Sequence, residues 1–277
     1  MSRIAGVFES LKSDGRKAVI PYLVAGDPSL ELTVDLMSTL VTAGADIIEV
    51  GVPFSDPMAE GPVIQRGHER ALDRGTRLRG VIELVKQFRE RDSQTPVLLM
   101  GYANPVERMG YTAFAESAST AGVDALLTVD VPPEEVASLN SELKKVGMDN
   151  IFLVAPTTPD ARMDLIASEA SGFIYYVSLK GVTGAGHLDL GSVSSQVSQL
   201  REHTSLPVCV GFGIKDGSSA AAIADFADGV VVGSALVQKL ADVAASGGDE
   251  AAILEAAGVL LGEIRESVDR LVSDAAA

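Results

Sequence analysis

Eight short apolar, β-branched runs alternate with longer helix-like stretches along the 277 residues. The alternation predicts an α/β protein with a parallel sheet, because strands joined through helices run the same way. Eight such units predict that the sheet closes into a (β/α)8 TIM barrel rather than staying open and doubly wound. Length agrees, since a barrel of this kind uses about 250 residues as one domain. A single domain over 1–277 is therefore expected.

The chain opens on an extra amphipathic helix over 3–12, where Ile4, Val7, Phe8 and Leu11 recur at helical spacing. Strands begin near Val19, Asp46, Pro96, Ala125, Asn150, Phe173, Pro207 and Gly229. Helical segments fall at 30–43, 79–91, 111–121, 133–146, 160–168, 190–201 and 218–225. Several open on a capping residue or a proline, as in Asp27-Pro28-Ser29, Thr158-Pro159-Asp160 and Asp216-Gly217-Ser218. The widest gap, after strand two, holds a Pro- and Gly-rich loop over 53–62 and an extra helix over 62–72. The last helix covers 250–275.

A hydrophobic content of 47% and a mean hydropathy of +0.24 allow a sizeable core. A formal charge of −16 disfavours nucleic acid and anionic membranes. It still permits an anionic small molecule held by backbone N–H groups. The one cysteine, Cys209, sits in an apolar run and reads as a packed core thiol. His68, His187 and His203 lie far apart without metal-ligand spacing, so no metal is expected. The first residues lack a signal-peptide core, and no apolar run is long enough for a bilayer, so a cytoplasmic location is expected.

The most informative stretch is Ile47-Ile48-Glu49-Val50-Gly51-Val52, followed by a loop that holds Glu60. Side chains alternate across a strand, so Ile47, Glu49 and Gly51 share one face and Ile48, Val50 and Val52 the other. The β-branched face suits packing under helices. Glu49 then points into a cavity, with Gly51 leaving room beside it. A structural Glu bonded to a neighbouring backbone group or Arg is the plain alternative. The second carboxylate in the next loop tips the reading toward chemistry.

Barrel enzymes carry their sites at the C-terminal strand ends, and loops after strands seven and eight form a common phosphate site. Gly211-Phe212-Gly213 and Gly233-Ser234 occupy those places, where ordinary tight turns are the plain alternative. Lys215 adds some attraction if it is not simply solvated. The loop after strand six has three glycines within 181–186, enough to let it fold over a ligand. Lys180 within it is discounted as a Schiff-base lysine, because no apolar pocket would lower its pKa there.

Taken together, Glu49-Val50-Gly51-Val52-Pro53-Phe54-Ser55-Asp56-Pro57, Asn104-Pro105, Asp130-Val131-Pro132, Val154-Ala155-Pro156, Gly181-Val182-Thr183-Gly184-Ala185 and Gly211-Phe212-Gly213-Ile214 resemble the tryptophan synthase α subunit, over nearly the whole chain. The resemblance implies a lyase that cleaves indole-3-glycerol phosphate by a retro-aldol step to indole and glyceraldehyde 3-phosphate. It implies no cofactor in this chain and a partner, the pyridoxal-phosphate β subunit, in an α2β2 complex that passes indole along. It makes Glu49 the general acid/base. The family's second acid lies in Ala-Asp-Gly-Pro; here Ala59-Glu60-Gly61-Pro62 keeps the carboxylate but adds a methylene. By resemblance the substrate pocket is lined by Tyr22, Ile64, Met100, Tyr102, Leu127, Val129, Tyr175, Thr183 and Phe212. The phosphate is held near Gly184, Gly213, Gly233 and Ser234. The partner docks on a rim that includes Pro53, Asp56, Asn104 and Pro132. Two other readings remain: an α-like activator of β with weak or no lyase activity, and a sugar-phosphate isomerase, which the Pro-Phe-Ser-Asp-Pro loop argues against.

Overall fold

The computed structural model describes residues 2–177, 189–211 and 213–275. Thr183, Gly184 and Phe212 lie outside the described residues, as does the rest of the glycine-rich loop after strand six. Eight parallel strands close in sequence order: β1 (Ala18–Val24), β2 (Ile48–Gly51), β3 (Val97–Gly101), β4 (Ala125–Thr128), β5 (Asp149–Val154), β6 (Ile174–Tyr176), β7 (Val208–Val210) and β8 (Gly229–Val232), with β8 paired back to β1. Each strand starts within two residues of its expected place. This is a TIM barrel, as the alternation predicts.

The strand parity of β2 holds in three dimensions. Ile48, Val50 and Val52 join the apolar layer between barrel and helices, with Leu36 and Met37 of α2 (Leu30–Thr42) and Val85 of α4 (Leu78–Arg89). Ile47 faces inward with Ile20, Leu98, Leu127, Phe173 and Cys209. Cys209 is fully buried there, a core thiol.

The expected extra helices are α1 (Arg3–Ser13) and α3 (Pro62–Asp73). Ser2 caps α1 by accepting from the Ala5 N–H at 3.2 Å. Ile4, Phe8 and Leu11 of α1 pack into the interior cluster, and Phe8 meets Phe173, just ahead of β6, with ring centroids 5.8 Å apart. The helix therefore stoppers the N-terminal mouth of the barrel. Ion pairs fasten the same end. Asp124, just ahead of β4, binds Arg3 and Arg89, each at 2.7 Å. Arg265 of α12 (Glu250–Ala275) binds Asp46, just ahead of β2, at 2.9 Å.

Two helices are unforeseen. α5 (Ala103–Met109) precedes α6 (Tyr111–Ala121), and its seven residues are too few to show a helical period in sequence. Gly110, at φ +89°, turns the chain between them. α11 (Ser234–Ala245) stands before α12, where only a turn at Gly233-Ser234 is anticipated; Gly247, at φ +83°, divides the two. α7 (Ala137–Lys145) starts four residues after the expected Pro133, because turn residues occupy 133–136. The remaining helices, α8 (Asp160–Glu169), α9 (Leu190–His203) and α10 (Gly217–Ala224), follow the expected alternation.

Candidate active site

Glu49 is fully buried, and among the described residues neither carboxylate oxygen has a hydrogen-bond partner. Burial, reinforced by the charge of Glu60, pushes its pKa up to about 8. A structural glutamate would be bonded; this one is left free, neutral or nearly so at pH 7, and able to move a proton either way. Register places Tyr22 of β1 and Leu98 of β3 on either side of it.

Glu60 lies half-buried in the loop between β2 and α3. Burial raises its pKa, against the opposing effect of the Tyr102 hydroxyl. That hydroxyl, just past β3, donates to Glu60 Oε2 and accepts from the Ala59 N–H at 3.0 Å. Phe54 stacks on the Tyr102 ring at 4.9 Å, with an interplanar angle of 26°. Gln65 Nε2 donates to the Glu60 carbonyl at 2.9 Å. The longer acid thus reaches a phenol through Oε2.

The other described pocket candidates fall into two apolar and aromatic clusters. Tyr22, Ile64 and Met100 pack together with Val24 and Val237, while Leu127, Val129 and Tyr175 belong to the adjoining interior cluster. Two glycines make room for phenols. A Cβ on Gly51 would lie 2.2 Å from the Tyr22 hydroxyl, and one on Gly211 would lie 2.2 Å from that of Tyr175. Gly51→Ala should therefore shift the Tyr22 ring, seen as a loss of activity in a variant that retains its far-UV circular dichroism.

Gly233 caps α11 without a side-chain bond, and no acidic residue follows in the first turn. The N–H groups of that turn carry the positive end of the helix dipole. A Cβ on Gly233 would meet Tyr22 Cβ at 3.7 Å and Ile64 Cδ1 at 3.8 Å, so the helix start abuts the apolar cluster of Tyr22 and Ile64. Ser234 is exposed there, and Gly213, at φ +73°, turns the chain after β7. Lys215 is exposed. On the same rim Asp56 and Asn104 are exposed, Pro132 is half-buried and Pro53 is buried; Met58 projects at 82% exposure. Asp130 accepts from the Ala103 N–H at 2.7 Å and so ties the end of β4 to the start of α5.

Sequence reasoning misses His68. The buried imidazole, 1% exposed on α3, lies 3.2 Å from the Tyr22 hydroxyl through Nε2 and accepts the Phe54 N–H through Nδ1 at 3.0 Å. No local pattern marks it, since one partner is 46 residues away and the other is backbone. Among the described residues no three His, Cys, Asp or Glu side chains group closely enough to hold a metal ion, and no helix is long and apolar enough to cross a membrane.

The family described as tryptophan synthase alpha chain matches residues 8–266. The chain belongs to that family. The alpha chain from Thioalkalivibrio sulfidiphilus is 57% identical over 269 residues, 97% of this chain and 100% of that one. The alpha chain from Ralstonia nicotianae is 59% identical over 240 residues, 87% and 91% of the two chains. Among solved structures, tryptophan synthase subunit alpha from Legionella pneumophila superposes with a TM-score of 0.92 at 46% identity, covering 98% of this chain and 99% of that one. A chain of tryptophan synthase from M. tuberculosis in its aminoacrylate-bound form gives 0.85 at 35% identity, covering 97% and 100%. With the family come the α-subunit role and a carbon–carbon lyase activity; an activator without chemistry is the less favoured reading.

Proposed function

We propose that this chain cleaves indole-3-glycerol phosphate to indole and glyceraldehyde 3-phosphate, with Glu49 as the acid/base and Glu60 as the partner of the indole N–H. The observation that carries the reading is Glu49 itself: a buried, unpartnered carboxyl poised near pH 8, beneath a loop that holds a second carboxylate. The reaction needs both groups. Glu49 gives its proton to the ring carbon that bears the side chain. The positive charge this creates spreads to the ring nitrogen, whose N–H donates to the Glu60 carboxylate. Glu49, now a carboxylate, removes the proton from the side-chain hydroxyl. The carbon–carbon pair then returns to the ring as the aldehyde forms, and Glu49 ends as it began.

The apolar clusters that hold Tyr22, Ile64, Met100, Leu127, Val129 and Tyr175 suit a flat apolar ring; the family resemblance adds Thr183 and Phe212 to that assignment. The phosphate sits at the start of α11, held by Gly233, Ser234, Gly213 and Gly184, mostly through backbone N–H groups. The chain works as one domain and needs no cofactor of its own. In the cell it acts in the cytoplasm, paired with the pyridoxal-phosphate β subunit as α2β2 on the rim of Pro53, Asp56, Asn104 and Pro132.

The direct test is indole release from indole-3-glycerol phosphate, with and without a β subunit. Added β should raise turnover, because a partner seated on the loop over 53–62 fixes Glu60 in place. Asp56→Ala should weaken that stimulation more than it weakens the isolated chain. Equal turnover with and without a competent β subunit would favour a free-standing lyase. Glyceraldehyde 3-phosphate should shift the amide resonances of Gly213, Gly233 and Ser234; a response confined to the α1 end of the barrel would contradict the phosphate assignment.

A further inference from the structure

Resting on the lyase reading above, we propose that His68 is a positioning residue: it orients the Tyr22 hydroxyl beside Glu49 and, through the backbone of Phe54, couples that hydroxyl to the loop that carries Glu60.

The hydrogen-bond directions fix the tautomer. The Phe54 N–H can only donate, so Nδ1 of His68 is the acceptor and bears no proton. A neutral ring then carries its proton on Nε2, and that N–H donates to the Tyr22 oxygen 3.2 Å away. Burial keeps the ring neutral by pushing its pKa down to about 4. Tyr22 stays a phenol as well, since burial, then the charges of Glu60 and Glu49, hold its pKa well above 10. Its oxygen accepts from His68, so its own O–H is left for another partner.

The surroundings say where that O–H acts. The Tyr22 oxygen occupies the space a side chain on Gly51 would fill. Gly51 follows Glu49 on the same inward face of β2, and Tyr22 is the register partner of Glu49. Both Glu49 oxygens lack a partner among the described residues. The phenol is therefore set beside the acid/base with a proton to donate into the reaction space. On the other side of the imidazole, the Phe54 ring stacks on Tyr102, whose hydroxyl donates to Glu60. One buried ring on α3 links the strand beside the first carboxylate to the loop of the second.

The arrangement is also held from outside. Arg70, two residues beyond His68 on α3, makes a two-pronged bond to Asp27 just past β1, at 2.8 and 2.7 Å. Helix α3 is thus moored to the same strand that His68 contacts, which limits how far the imidazole can drift from Tyr22.

The test compares His68→Leu, His68→Gln, Tyr22→Phe and the Leu/Phe double variant in steady-state indole release. His68→Leu should lower kcat by about 10–100-fold, the scale of a misplaced group, while KM moves by less than about threefold. Gln offers an amide oxygen to the Phe54 N–H and an amide N–H to Tyr22, so it should restore most of kcat. The double variant should lose no more than the worse single one, because both act through one bond. A loss in KM alone, no rescue by Gln, or losses that multiply would overturn the proposal. A wild-type chain that releases no indole would instead overturn the lyase reading. The tautomer has its own readout: nitrogen NMR of histidine-labelled wild-type protein should show His68 protonated at Nε2 and neutral down to about pH 5. Protonation at Nδ1 would refute the assignment even if His68→Leu fails to fold.

Discussion

Replacing Glu49 by Gln should lower turnover by about 10²–10⁴-fold, and by more if one carboxyl serves both proton transfers. The substitution keeps size and shape and removes only ionisation. A variant that retained a tenth of wild-type turnover would remove Glu49 from the mechanism. The same change should stabilise the fold in a defined pH window. Glu49 titrates near 8 when folded, against an ordinary value of 4.5. Between those values the folded protein holds a proton that the unfolded chain has released. Stability contributed by this group is therefore complete below about pH 4.5 and lost as pH rises through 8. Gln does not titrate, so the variant should be more stable than wild type at pH 8.5 by up to about 5 kcal/mol, taking about 1.4 kcal/mol per pKa unit. The advantage should vanish near pH 4. Urea denaturation of both proteins across that range measures it. A constant difference at every pH would mean that Glu49 is not held protonated in the folded state.

Glu60→Ala should reduce kcat/KM by roughly 10–100-fold, equivalent to the 1–3 kcal/mol cost of a buried donor left unpaired. The donor in question is the indole N–H. Glu60→Asp should lose far less, because the carboxylate survives. The structure sharpens this comparison. Glu60 reaches Tyr102 through Oε2, and an aspartate is one methylene shorter. Tyr102→Phe in the wild type and in Glu60→Asp separates the two contributions: it should cost more in the wild type, where the phenol anchors the acid. Turnover of Glu60→Ala equal to wild type would remove Glu60 from the chemistry.

How much of this could be read in advance follows from where the information lies. The barrel was legible because each strand and its crossover helix announce themselves locally, through β-branched runs and capped helical periods. Glu49 was legible because parity within one strand decides its face. Helix α5 was not, since seven residues show no period. Helix α11 was hidden behind Gly233-Ser234, which reads as a turn and is also a helix start. The wiring of the site was least legible of all. Tyr102 and Glu60 are 42 residues apart, and Tyr22 and His68 are 46 apart. Such pairs exist only once β1, β2, β3 and α3 have come together. His68 also bonds a backbone N–H, which no residue pattern encodes.

The stopper formed by α1 has a consequence for traffic. With Ile4, Phe8 and Leu11 packed into the N-terminal end of a filled barrel, the site's doorway lies at the C-terminal rim. Reactant in and product out share that doorway, and escape to water competes there with handover to a neighbour. An uncharged aromatic product is held only by the apolar lining and the Glu60 carboxylate once the phosphate half has been severed. Whatever covers the doorway therefore sets the destination of the product, without altering a single reacting group inside.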